Sequence, residues 1–189
     1  DLHYFVQGRG ELVVSRSRRQ EFLQRVIDGA VLVHGTIFTN MSRDVGFQFL
    51  KIGTNIEQAD MTTRILDVRS TSLIDTGQRQ DLAPFYNIQW MSVLQSLTAY
   101  QMYRRHFRTR VNRTGVLKFL LQDRQFPRSV NSCLMAISAT TQHLPQNRQV
   151  ERTLSRVRSV IQDADISHLV EEGLSEFIDE IQIGLGQVH

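Results

Sequence analysis

One cysteine, three prolines and two lysines are all that this 189-residue chain carries of those types. The lone Cys133 can form no disulfide within the chain, which points to a reducing compartment and to a cytoplasmic protein. So few prolines leave long helices uninterrupted. Apart from Lys51 and Lys118, the Lys and Arg total of 22 is arginine, whose planar fork suits carboxylates and phosphates. A net charge of +3 is mild for a nucleic-acid binder. No apolar run approaches the roughly 20 residues that span a bilayer, and no signal peptide is visible. There is no P-loop or other glycine-rich phosphate loop, no helix-turn-helix, and no zinc or ExxH pattern. The histidines His3, His34, His106, His143, His168 and His189 are scattered without metal-ligand spacing. No metal, cofactor or catalytic residue is therefore expected. The chain opens on Asp1 rather than Met, which predicts a piece of a longer protein.

What is present is helical periodicity. Residues 1–15 read as irregular, broken by Gly8 and Gly10. A helix then starts near Ser17, where Ser17-Arg18-Arg19-Gln20 fits a capping box. Its face carries Phe22, Leu23, Val26, Ile27, Ala30, Val31 and His34. A second, long helix runs from Ser42 to about Ser72, and Asp75–Pro84 reads as a loop. A third covers Phe85–Arg110 with Ile88, Met91, Leu94 and Leu97 inward. Asn112 caps a short helix, Pro127 opens the next, and two more follow Pro145. No stretch alternates as a strand would. The expectation is all-α: one domain over residues 16–189, a bundle of about six or seven helices with two or more long central ones.

The long helix holds the most unusual content. Val45, Phe49, Ile52, Ile56, Ala59, Thr63 and Leu66 mark a core-facing stripe. Beside it run Gly46, Gly53, Glu57, Asp60, Arg64 and Asp67. Asp60–Arg64 and Arg64–Asp67 have the spacings of intrahelical ion pairs. One reading is a salt-bridge ladder with a neighbouring helix packed closely on the glycines. A buried Glu57 would then need a donor, which Arg104, Arg105, Arg108 or Arg128 could supply. The other reading makes Glu57 and Asp60 ligands for a substrate amine or a cation, although two carboxylates alone bind a hard divalent ion weakly.

A second constellation gathers Arg104, Arg105, Arg108, Arg110 and Arg113 with Tyr103, His106 and Phe107. It reads as a solvated helix end that pairs with acidic neighbours, as a docking surface for an acidic partner, or as a phosphate-binding patch. His34 reads as a hydrogen-bonded core residue, Cys133 as a buried inert thiol, and Ser129 as part of a helix's first turn.

The stretch GTNIEQADMTTRILDV (Gly53–Val68) resembles the signature of the bacterial alpha-E domain, an α-helical family of unknown function named for a Glu-Arg pair. AYQMYRRHFRTRV (Ala99–Val111) and FLLQDRQFPRSVNSCL (Phe119–Leu134) are similar to later blocks of that family in the same order. The likeness covers about Glu21 to Ile183. Thr54 and Gln58 stand where the family usually has arginine, and both point by helical angle toward solvent. Glu57, Asp60, Arg64 and Asp67 are retained. The family also usually carries a further helical segment upstream. The resemblance implies a partner, a circularly permuted ATP-grasp-type ligase encoded beside such domains or fused to them. It implies a non-catalytic accessory domain in peptide synthesis or modification. The alternatives are an enzyme or substrate-binding domain using Glu57 and Asp60, and a nucleic-acid-binding helical domain. The sequence does not specify an oligomeric state.

Overall fold

The structure is a computed structural model that describes residues 2–7, 16–74, 83–145 and 148–189. Residues 8–15, with Gly8 and Gly10, and 75–82, most of the expected loop, lie outside the described residues. Among those described, all regular structure is helical. The elements are α1 (Leu2–Gln7), α2 (Arg16–Asn40), α3 (Val45–Ile74), α4 (Ala83–Ser96) and α5 (Tyr100–His106). They continue with α6 (Arg113–Gln122), α7 (Val130–Thr141), α8 (Arg148–Asp163), α9 (Ile166–Glu171) and α10 (Leu174–Val188). No helix among the described residues is long and apolar enough to cross a membrane.

Among the described residues ten helices stand where about six or seven were expected, and the extra boundaries have local causes. α1 forms inside the stretch read as irregular. The expected Phe85–Arg110 helix is cut at Leu97–Ala99. There Thr98 takes a left-handed φ of 53°, Ala99 N donates to Leu94 O at 2.7 Å, and Thr98 N donates to Gln95 O at 3.0 Å. Those two bonds form a Schellman cap, with a threonine where glycine is usual. Gly173, at φ 82°, likewise separates α9 from α10. Asp44, not Ser42, opens α3: its Oδ1 accepts the Phe47 amide at 3.0 Å. Asn112 caps α6 as expected, accepting from Gly115 N at 2.8 Å. α7 begins at Val130 with Ser129 as its cap, so Pro127 lies in the preceding turn.

Contacts divide the chain into two compact units, Asp1–Phe47 and Gln48–His189. In the first, Phe5 stacks on Phe22 at 5.4 Å, with Arg25 over the Phe5 ring at 4.6 Å. His34 is exposed rather than a core residue, and stacks on Phe38 at 4.3 Å. Phe38 in turn meets Phe47 edge-on at 5.3 Å. The apolar face read on the first helix buries nothing, since α2 has no buried side chain.

In the second unit the centre belongs to α6, a helix of only 10 residues that packs against α4, α7, α8 and α9. Its Val116, Leu117, Phe119, Leu120 and Leu121 are buried with Trp90 and Leu94 of α4, Leu134 and Ile137 of α7, and Leu154 and Ile161 of α8. The α3 stripe joins this core through Ile56, Ala59, Thr63 and Leu66, whereas Phe49 stays 61% exposed and Val45 58%. A 3.6-residue period identifies a face but not how much core that face will meet. Close helix packing on a glycine also falls elsewhere than on Gly53. A Cβ added at Gly53 would meet nothing within 4 Å. At Gly184 of α10 it would collide with Val157 Cγ2 of α8.

Candidate functional site

The signature residues of α3 differ in surroundings. Glu57 is exposed, so it needs no buried donor. Asp60 is half-buried and its Oδ2 accepts from Arg64 Nε at 2.6 Å. Arg64 itself is exposed. The bond to Asp60 and the attraction of that carboxylate hold its guanidinium above the ordinary arginine value, with Glu57 adding a smaller pull. Asp67 faces another helix: its Oδ1 accepts from Ser175 Oγ of α10 at 3.1 Å. The line is thus one intrahelical pair, one exposed carboxylate and one interhelical hydrogen bond.

A further tie of α3 to its neighbours lies beside these charges. Thr62 and Thr63 are fully buried. Thr62 Oγ1 lies 2.9 Å from both Gln58 O, one turn back, and Arg128 O of the α6–α7 connection. Arg128 therefore reaches α3 through its backbone carbonyl, while its side chain is exposed. Thr54 and Gln58, expected toward solvent, are half-buried. Thr54 Oγ1 donates back to Leu50 O at 2.8 Å, which frees it from needing any outside partner.

The later two blocks build a polar hub around the α6–α7 turn. Asp123 Oδ1 accepts from Gln125 N at 2.8 Å and Phe126 N at 2.7 Å, closing the turn on its own carboxylate. Ser129 Oγ donates to Asp123 O. Asn131 Nδ2 donates to Gln122 O at 3.0 Å, and Gln122 Nε2 donates to Ile161 O and Ala164 O at the end of α8. Ser129 and Asn131 are buried polar groups, and these bonds satisfy them. Cys133 lies beneath this turn. Burial pushes its thiol up to about 12, Arg128 only partly offsetting it, so the thiolate is not available as a nucleophile.

Against this turn the last residues of α5 open a cleft of about 390 Å³, lined by Met102, Arg105, His106, Phe119, Asp123, Gln125, Phe126 and Pro127. His106 Nδ1 faces Asp123 Oδ2 at 3.5 Å, and the Asp123 side chain is only 8% exposed. Phe119 and Phe126 stack at 4.9 Å beneath, and the His106 ring lies 6.0 Å from Phe119. Of the arginines singled out in the sequence, Arg105 lines this cleft. Arg104 and Arg108 are exposed near it in sequence, and Arg113 is half-buried with burial lowering its guanidinium. Arg104, Arg105 and His106 form the last turn of α5, where cations suit the helix dipole. The pairing of His106 with Asp123 was not read from the sequence. The available signal was the run Asp123-Arg124-Gln125-Phe126-Pro127, whose Asx residue and proline mark a tight turn. Among the described residues, no three His, Cys, Asp or Glu side chains converge as metal ligands would.

Compared with known families, residues 2–189 match the model of Alpha-E, described as a predicted alpha-helical domain with a conserved ER motif. No curated protein and no solved structure matches the chain.

Proposed function

The chain belongs to the Alpha-E family, and from that premise we propose that it is a non-catalytic helical accessory domain that docks on an ATP-grasp-type ligase. The observation that carries the docking role is the surface of α2. Over 25 residues this helix buries no side chain, yet it presents Leu23, Ile27, Val31, Leu32 and Val33, each at least half exposed. Large apolar side chains grouped on one exposed helix are the usual content of a protein-binding surface. Leu23, Ile27 and Val31 follow each other at one-turn spacing, the register in which a helix enters a partner's groove. Burying side chains of this size is worth about 1.5–3 kcal/mol each, so a few of them suffice for a specific contact. The kind of partner comes from the family resemblance, which associates such domains with ligases of peptide synthesis or modification. A reducing cytoplasm suits a chain whose Cys133 is buried and free.

Co-purification of this chain with the ligase encoded beside it tests the reading. Association is expected, and Ile27→Glu and Val31→Glu are expected to abolish it while circular dichroism stays unchanged. Both side chains are exposed, so neither substitution disturbs a core. No association, together with full ligase activity in the absence of this chain, overturns the reading.

A further inference from the structure

We propose that the cleft between the end of α5 and the α6–α7 turn binds a small organic anion, a carboxylate or phosphate monoester carried on an apolar body. The inference does not depend on the docking role of α2.

The charge of the cleft comes first. Asp123 is its one carboxylate, and that carboxylate is spent: Oδ1 takes two backbone amides and Oδ2 faces His106. What remains for a ligand is cationic or hydrogen-bonding. Arg105 makes no ion pair among the described residues, and its fork can take both oxygens of a carboxylate or two of a phosphate. His106 Nδ1 faces Asp123 Oδ2 at 3.5 Å, which leaves Nε2 as the ring's other polar atom.

Shape and floor come second. About 390 Å³ is at the small end of ligand-binding clefts, too small for a folded partner and ample for a small metabolite. Phe119 and Phe126 stack beneath it, and Met102 and Pro127 flank it, so an ion with no apolar part would leave most of the lining unused. The arrangement matches a head-and-body ligand: the anionic end on the Arg105 fork beside the His106 ring, the apolar end on the aromatic floor.

The test titrates phenylacetate, phenyl phosphate, inorganic phosphate and the uncharged phenylacetamide into the full chain. NMR follows the Met102 methyl and the His106 ring. Saturable shifts at both are expected with one or both ring-bearing anions, and which one binds identifies the head group. Inorganic phosphate and phenylacetamide are each expected to bind at least about tenfold more weakly. Arg105→Gln is expected to raise the Kd about tenfold, with Arg105→Lys recovering part of the loss. Arg105 is exposed, and unchanged thermal unfolding of both variants verifies that the fold is kept. The proposal is overturned by an absence of saturable shifts with either ring-bearing anion. Equal binding of phenylacetamide, equal binding of inorganic phosphate, or a Kd unmoved in Arg105→Gln overturns it too. Binding of an oligonucleotide at the same shifts, in preference to the small anions, would assign the cleft to nucleic acid instead.

Discussion

Thr62 has no exposed surface, and its hydroxyl lies 2.9 Å from the Arg128 carbonyl on another segment, while two residues later an exposed Arg64 holds the half-buried Asp60. Their worth follows from their surroundings. A buried carbonyl that loses its donor costs about 1–3 kcal/mol, whereas an exposed ion pair is screened by water and contributes little. Thr62→Val keeps the shape and removes the donor, so chemical denaturation should show a loss of about 1–2 kcal/mol. Arg64→Gln should leave the unfolding curve unchanged. A larger effect from Arg64→Gln than from Thr62→Val would mean that the signature charges, not the threonines beside them, hold α3 in place. The charges were legible in the sequence because their spacing is a helix property. The threonine was not, because its partner is a main-chain atom 66 residues away.

Among the elements, the break between α4 and α5 is held at a conformational cost. Thr98 occupies the position of the Schellman cap that must be left-handed, where a β-branched side chain is strained by roughly 1–2 kcal/mol. Its side chain is exposed and donates only to the neighbouring Leu97 carbonyl at 2.7 Å. Thr98→Gly should therefore stabilise the protein by about 1 kcal/mol, despite the entropy glycine adds to the unfolded chain. Thermal unfolding should rise by roughly 2–4 °C for a chain of this size. An unchanged or lower midpoint would contradict the strain. The same geometry accounts for what the sequence reading merged. Phe85–Arg110 keeps one helical period throughout, and a threonine gives no sign of a left-handed turn. Asn112 signalled the start of α6 correctly, because an Asx cap acts on an amide only three residues away.

For the whole molecule, burial is divided unequally. Every residue of the main hydrophobic cluster lies between Ile56 and Val188, and none belongs to α2. A helix held by few tertiary contacts opens at low free energy, whereas helices in the core exchange only on large-scale unfolding. Amide hydrogen exchange should therefore be orders of magnitude faster along α2 than along α6, α7 and α8. Equal protection would show that α2 is covered in solution by something beyond the residues described, a second copy of the chain included.

The sequence by itself determined that the protein is all-α, which residues form most of the helices, and which family it belongs to. These are local properties, set by a 3.6-residue period, by caps and by motif spacing. Only the tertiary structure decided that the 10-residue α6 lies at the centre of the second unit. It also decided that a close helix approach falls at Gly184 while Gly53 meets none, and that Asp123 faces His106 at the edge of a cleft. Periodicity says which side of a helix is apolar. Which apolar sides find each other depends on how side chains of distant segments fit in three dimensions, and no local pattern carries that information.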